Sequence, residues 1–139
     1  MKPRTLLPTG ILFAFVALLF GFSLIQAQEK PASKVRHVDG REAAKLVASN
    51  AVVVLDVRRA EEFADGYIVG ATNVDFLSKD FAEKVAKLDR QKTYLVHCAS
   101  GRRSTNALAT LGKLNFTNLI HLDGGFGAWK EAGNPVMKK

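Results

Sequence analysis

The stretch TYLVHCASGRRS, residues 93–104, indicates the fold class and contains the only cysteine of the chain. Its first part, residues 93–97, is apolar and β-rich, as in a buried strand. A short loop with Gly101 follows, and residues 104–114 have the pattern of a helix. A strand that leads through a short loop into a helix is the repeating unit of a parallel α/β sheet.

The same alternation continues on both sides of this stretch. VVVLDV, within residues 52–57, is a continuous β-branched run of the kind that is buried on both faces of a parallel sheet. The remaining strands are predicted at 35–38, 71–74 and 119–122, and the remaining helices at 40–49, 60–64, 78–88 and 126–132. The sequence therefore predicts an α/β domain with a parallel sheet of about five strands and helices on both faces.

The N-terminal segment has the layout of an export signal. Lys2 and Arg4 precede an apolar run at residues 11–25, and Ala27 is suited to the last position before cleavage. This run is short for a membrane span, which needs roughly 20 residues. We expect a signal peptide over 1–27, with an uncleaved membrane anchor as the alternative, and an exported protein that is periplasmic if its source is bacterial. Residues 28–34 are predicted to form a linker, and residues 35–137 a single domain.

The charge of the predicted mature chain argues against nucleic acid as a partner. Removal of residues 1–27 leaves 112 residues with 18 Lys and Arg against 13 Asp and Glu, a net charge of +5. These charges are scattered and form no basic run beyond the terminal lysines. A mildly basic surface suits small anionic substrates. One cysteine cannot form an internal disulfide, so an unpaired thiol in an exported protein suggests a use.

Cys98 is predicted to lie at the carboxyl end of a central strand, where open α/β sheets bind ligands. The loop after it is small and flexible enough for successive backbone N–H groups to turn inward, and the next helix adds its positive end. These features lower the pKa of a thiol and make it nucleophilic, whereas a cysteine without such a context is usually a buried apolar residue. The predicted anion cradle comprises Ala99, Ser100, Gly101, Arg102, Arg103 and Ser104.

The three histidines are not assigned a catalytic role. Side chains alternate along a strand, so His97 is expected to face away from the pocket beneath Cys98. His37 and His121 have no neighbouring metal-ligand residues in the sequence, so we predict no metal site and no cofactor.

Loop length separates two cysteine-based chemistries. Cysteine phosphatases place an arginine after five intervening residues, whereas Arg103 follows Cys98 after four. The shorter loop suits a single transferred sulfur atom better than a phosphate. A phosphatase or arsenate reductase is thereby disfavoured.

Three ordered motifs resemble those of the rhodanese-type sulfurtransferases. CASGRR, residues 98–103, resembles the family's Cys-x-x-Gly-x-Arg active loop. LDVRRAEEFADGYIVGATNVD, residues 55–75, and LDGGFGAWKEAGNPV, residues 122–136, resemble its two flanking signatures. In combination these motifs are specific. The chain is thus identified from its sequence as a single-domain, exported member of this family.

The resemblance implies a three-layer domain and a double-displacement reaction. Cys98 would take the outer sulfur of an anionic donor such as thiosulfate as a persulfide and pass it to cyanide or a thiol. The cradle would bind the sulfur, and Arg103, with Arg102, would position the donor. Asp56, Arg58 and Glu62 would brace the site, because opposite charges so placed usually pair with each other. A persulfide carrier or partner-binding module without turnover remains an alternative.

Overall fold

A computed structural model of the chain describes residues 34–138. The predicted signal, 1–27, and all but the last residue of the predicted linker lie outside the described residues. The strands are β1 (Arg36–Val38), β2 (Val53–Asp56), β3 (Thr72–Asn73), β4 (Tyr94–His97) and β5 (Leu119–Leu122). The helices are α1 (Gly40–Ala48), α2 (Ala60–Asp65), α3 (Phe81–Ala86), α4 (Arg102–Lys113) and α5 (Gly125–Glu131). Across residues 34–138, no helix is long and apolar enough to cross a membrane.

The five strands form one parallel sheet in the order β1-β5-β4-β2-β3. β4 lies at its centre, between β5 and β2. Alternate residues of the strands point to opposite faces of the sheet and contribute to two hydrophobic cores. Leu55 and Val96 pack with α3 and α4, whereas Val54 and Leu95 pack with α1 and α5. The predicted parallel α/β sheet with helices on both faces is confirmed.

The helix after the cysteine begins two residues earlier than the sequence predicts. α4 starts at Arg102 rather than Ser104, because Gly101 adopts a left-handed φ of 111° as its N-cap. A residue with a side chain rarely adopts this φ. The loop between β4 and α4 is therefore short, and it contains only Cys98 to Gly101.

Candidate active site

The Cys98 thiol lies at the carboxyl end of β4 and faces the start of α4. The residue is buried, with 1% of its surface exposed. The N–H of Gly101 donates to Cys98 Sγ at 3.1 Å, and Ser104 Oγ lies 3.4 Å from the same sulfur. Ser104 is itself fully buried, so this hydroxyl is oriented within the core and not in solvent.

Helix α5 fixes the peptide planes of the cysteine loop from behind. The N–H of Phe126 donates to the carbonyl of Cys98 at 2.8 Å, and the N–H of Gly127 donates to the carbonyl of Ala99 at 3.0 Å. In a trans peptide the C=O and N–H point in opposite directions. These two carbonyls are held against α5, so the N–H groups of the same peptides, those of Ala99 and Ser100, point away from it.

Burial by itself would raise the pKa of the Cys98 thiol, because it disfavours the charged form. The hydrogen bond from the Ser104 hydroxyl and those from the backbone N–H groups of Ser104, Gly101 and Ser100 oppose this and hold the pKa below its usual value. The twelve-residue helix α4 directs its positive end at the sulfur and favours the anion further. The loop therefore stabilises a thiolate, the nucleophilic form of cysteine.

Arg103 lies beside the thiol and is held there by Glu62. The guanidinium donates to the two carboxylate oxygens of Glu62 at 2.7 and 2.9 Å. Its hydrogen bond to Glu62 and, to a smaller extent, its proximity to Cys98 raise the pKa of Arg103. Arg102 is exposed in the first turn of α4. The structure thus brings Arg103 to the thiol and leaves the side chain of Arg102 in solvent.

The bond from Arg103 is the main reason that the pKa of Glu62 falls from 4.5 to about 2. A lowered carboxyl pKa stabilises the folded chain at pH values above 4.5, the ordinary pKa of the group. This stabilisation is lost as the pH falls towards the folded-state pKa of about 2. Because both side chains are partly exposed, we expect Glu62→Gln to lower the free energy of unfolding by only about 1–2 kcal/mol at pH 7. The loss should shrink by more than half at pH 3. Urea unfolding at both pH values checks this, and an equal loss at both would contradict it.

Asp56 and Arg58 form a buried ion pair at the end of β2. Arg58 Nη2 donates to Asp56 Oδ2 at 2.6 Å, and Arg58 Nε lies 3.0 Å from each carboxylate oxygen. Asp56 is 0% exposed and Arg58 is 4% exposed. The guanidinium also donates to the carbonyl of Gly66 and stacks 4.0 Å above the Phe126 ring. Glu62, the third residue predicted to brace the site, pairs instead with Arg103 at the start of α4.

His97 is fully buried behind the loop, and its Nδ1 lies 3.1 Å from the carbonyl of Cys98. A carbonyl accepts, so Nδ1 carries the proton. Burial lowers the pKa of His97, so the ring stays neutral. Within residues 34–138 its Nε2 has no hydrogen-bond partner, and this nitrogen lies 3.5 Å from Asp56 Oδ2. His97 therefore orients a loop carbonyl and is not placed to take the thiol proton.

The expectation that His37 and His121 lack neighbouring ligand residues was wrong. Parallel pairing of β1 with β5 sets the two histidines opposite each other, and Asp123 follows β5 directly. Both Nδ1 atoms bond to one oxygen, Asp123 Oδ1, at 2.7 and 2.8 Å. The expectation failed because strands that are distant in the sequence bring the two histidines together. In the sequence itself, only the position of Asp123 two residues after His121 pointed to a neighbouring ligand residue.

An open pocket of about 500 Å³ lies beside the loop. Ala99 and the ring of Phe126 line it, together with the positively charged side chains of Arg58, Lys130 and Lys138. Glu62 and Asp65 contribute negative charge to the same wall. The pocket thus joins the cysteine loop to a surface of mixed, partly positive charge.

Comparison with known proteins agrees with this geometry. The family model described as a rhodanese-like domain matches residues 39–132. The chain is 30% identical over 100 residues to the thiosulfate sulfurtransferase GlpE of Shewanella oneidensis, covering 72% of this chain and 97% of that protein. It is 35% identical over 98 residues to the GlpE of Pseudomonas entomophila, covering 70% and 87%.

A solved structure extends the likeness to three dimensions. The crystal structure of a rhodanese-related protein from Thermoplasma volcanium superposes with a TM-score of 0.68 at 33% identity, covering 75% of this chain and 99% of that chain. The residues that the family model matches, 39–132, contain strands β2 to β5, the cysteine loop and helix α5. The chain therefore belongs to the rhodanese-like domain family, among relatives that are named as sulfurtransferases.

Proposed function

We propose that this protein is a sulfurtransferase that moves a sulfane sulfur from an anionic donor such as thiosulfate to cyanide or a thiol, through a persulfide on Cys98. The observation that carries the proposal is the setting of the thiol. Backbone N–H groups and the Ser104 hydroxyl converge on one sulfur and lower its pKa against the effect of burial, and the positive charge of Arg103 lies beside it. Such a site activates a nucleophile and then stabilises the anion that forms on it.

In the first step the Cys98 thiolate attacks the outer sulfur of thiosulfate. A new S–S bond forms to Cys98, the original S–S bond breaks, and sulfite leaves with the electron pair. The product is a persulfide whose outer sulfur bears the negative charge. The N–H donors of Ser100, Gly101 and Ser104, which stabilise the resting thiolate, would then be available to this anion.

In the second step the acceptor attacks the outer sulfur. The Cys98–sulfur bond breaks, and its electron pair returns to Cys98 as a thiolate. Because the loop lowers the pKa of this thiol, Cys98 is also a good leaving group. The same set of donors thus favours both half-reactions.

Positive charge around the loop supports an anionic donor. Arg103 is held beside the sulfur by Glu62, and Lys130 and Lys138 lie on the adjacent pocket wall. Glu62 occupies two of the guanidinium donors, so the remaining N–H groups of Arg103 are those open to an anionic sulfonate group. Four residues between Cys98 and Arg103 also give a cradle smaller than one for phosphate.

The first test is the intact mass of the reduced protein after brief treatment with thiosulfate. We expect a gain of one sulfur atom, about 32 Da, because the thiolate captures sulfur covalently. Added cyanide should remove this mass. The Cys98→Ser variant should gain nothing, since an alcohol is not ionised in this loop.

Absence of the adduct on a protein whose thiol is free and reduced would contradict the proposal. An adduct that cyanide removes in a single turnover, without catalytic turnover under excess thiosulfate, would instead indicate the carrier alternative. Hydrolysis of a generic aryl phosphate by the native protein, lost in Cys98→Ser, would indicate a phosphatase.

We also propose that the protein is exported. The support is the sequence of residues 1–27, in which two basic residues precede an apolar run and Ala27. The same mass measurement on protein from an exporting bacterial host tests this. A chain that begins at Gln28 in the periplasm is expected, and a cytoplasmic chain of full mass would overturn it.

A further inference from the structure

A continuous set of hydrogen bonds leads from the cysteine sulfur to the protein surface. Cys98 Sγ lies 3.4 Å from Ser104 Oγ, and Ser104 Oγ lies 2.8 Å from His121 Nε2. On the far side of the ring, His121 Nδ1 lies 2.8 Å from Asp123 Oδ1. Ser104 and His121 are buried, whereas the side chain of Asp123 is 55% exposed.

The protons in this set can be assigned from its partners. Hydrogen bonds from His37 and His121 lower the pKa of Asp123, which is therefore a carboxylate and only accepts. In neutral His121 the proton then resides on Nδ1, which leaves a lone pair on Nε2. This nitrogen accepts from the Ser104 hydroxyl, so Ser104 Oγ is free to accept from the Cys98 thiol.

Two further acceptors lie within reach of the Ser104 hydroxyl: the carbonyl of Gly101, at 2.9 Å, and the Cys98 sulfur, at 3.4 Å. That carbonyl already accepts the N–H and the hydroxyl of Thr105, at 3.0 and 2.8 Å. A carbonyl oxygen has two lone pairs, and both are thus occupied. While Cys98 is a thiol, we therefore assign the hydroxyl proton of Ser104 to His121 Nε2, the nearest of the three acceptors at 2.8 Å.

We propose that His121 is a positioning residue that accepts the proton of the Cys98 thiol through Ser104, and that Asp123 stabilises the resulting imidazolium. This assignment deepens the proposed function and rests on it for its role in sulfur transfer. The S–H bond of Cys98 breaks, and its proton goes to Ser104 Oγ. The original hydroxyl proton of Ser104 passes to His121 Nε2. Thiol and imidazole become thiolate and imidazolium, with no change in total charge.

The charged and titratable groups around His121 favour the imidazolium that this proton transfer forms. Asp123 directly follows the strand of His121, His37 lies on β1 with its ring 5.2 Å away, and Cys98 lies on the far side of Ser104. His97 on β4 is neutral because burial lowers its pKa. The nearest fixed charge is thus the carboxylate, which stabilises a positive ring. After proton transfer Ser104 donates to the thiolate.

The test is the pH profile of Cys98 alkylation by iodoacetamide, read as mass, because only the thiolate reacts. His121→Gln keeps a polar side chain but cannot take the proton. Asp123→Asn keeps an oxygen for Nδ1–H but removes the charge. We expect the profile of both variants to move up by about one pH unit, which makes alkylation about tenfold slower at pH 6.5. The exposed His37, which bonds to the same carboxylate, supplies the control: His37→Gln should stay within about twofold.

A reciprocal measurement distinguishes this proton relay, from Cys98 through Ser104 to His121, from a merely structural effect of the substitutions. Interacting groups titrate together, so the NMR signals of the His121 ring should change with pH differently in Cys98→Ser, and by more than those of His37, which has no contact with Ser104 or Cys98. Unshifted alkylation profiles in both His121→Gln and Asp123→Asn, or an equal shift in His37→Gln, would overturn the relay. The sulfur adduct from thiosulfate is measured separately. If the adduct forms and the alkylation profiles do not shift, the role of His121 is wrong but the proposed sulfur transfer stands. If the alkylation profiles shift and no adduct forms, the proposed sulfur transfer is wrong but the role of His121 stands.

Discussion

Replacing Arg58 with alanine is expected to lower the free energy of unfolding by about 3–5 kcal/mol, because it leaves a buried carboxylate without its cation. Asp56 is completely buried, and Arg58 is the cation that neutralises it. Without the guanidinium, the carboxylate keeps the backbone N–H of residue 58 as a donor, at 3.0 Å. The nearby side-chain amide of Asn73 does not replace the lost donors, because it donates to the backbone carbonyls of residues 56 and 58. The charge would therefore be left largely uncompensated.

The same variant should disturb the active loop. The Arg58 guanidinium lies over Phe126, and the N–H of Phe126 holds the carbonyl of Cys98. Loss of this stacking loosens the first turn of α5, so we expect slower formation of the sulfur adduct as well as lower stability. Urea unfolding and intact mass after thiosulfate measure the two effects on the same sample.

Two variants show whether the unpaired Asp56 carboxylate causes the loss of stability in Arg58→Ala. Arg59→Ala removes a neighbouring, exposed arginine and should change the stability by no more than about 0.5 kcal/mol. The double variant Asp56→Leu/Arg58→Met removes both charges and should recover about half of the loss or more, because a buried pair is often replaceable by apolar side chains. A double variant as unstable as Arg58→Ala would contradict the explanation.

The sheet could be predicted from the sequence because its signals are local. The β-branched run at residues 52–57 and the apolar run at residues 93–97 need no knowledge of their neighbours to indicate buried strands. The position of Cys98 follows from the same reasoning, since it comes directly after a central strand. The start of α4 was missed by two residues, because the conformation of Gly101 is set by the loop and not by helix propensity.

The pairing of Asp56 with Arg58 could be predicted, because these residues are neighbours in the sequence. The partners of the other site residues could not, because they depend on contacts between distant parts of the chain. Glu62 and Arg103 are 41 residues apart, and His37 and Asp123 are 86 residues apart. Whether a histidine meets a serine or an aspartate follows from strand order and register, which a single sequence does not reveal. His121 was therefore passed over, although it bonds to the serine beside the thiol.

Gly125→Ala is expected to be as damaging as loss of the ion pair, because this glycine lies directly against the cysteine loop. A Cβ at residue 125 would be 2.5 Å from the carbonyl oxygen of Cys98 and 2.8 Å from the carbonyl carbon and oxygen of Ala99. All three atoms belong to the backbone and cannot rotate away. Residue 125 also has a φ of +61°, which adds strain for any side chain.

Together these effects should lower the free energy of unfolding by about 2–5 kcal/mol. They should also separate α5 from the loop, because the Phe126 N–H to Cys98 carbonyl bond is adjacent to the clash. With that carbonyl released, the loop N–H groups lose their orientation. We expect formation of the sulfur adduct from thiosulfate to slow at least tenfold, about 1.4 kcal/mol in the barrier.

Gly133→Ala is the matched control for Gly125→Ala. Gly133 has a φ of +75°, similar to that of Gly125, but an added Cβ would meet nothing within 4 Å. It should therefore lose only the backbone contribution, about 1–2 kcal/mol, and form the adduct at the native rate. The difference between the two variants in urea unfolding measures the clash with the loop. If both variants lose the same stability and keep the native adduct rate, close contact with residue 125 does not shape the active loop.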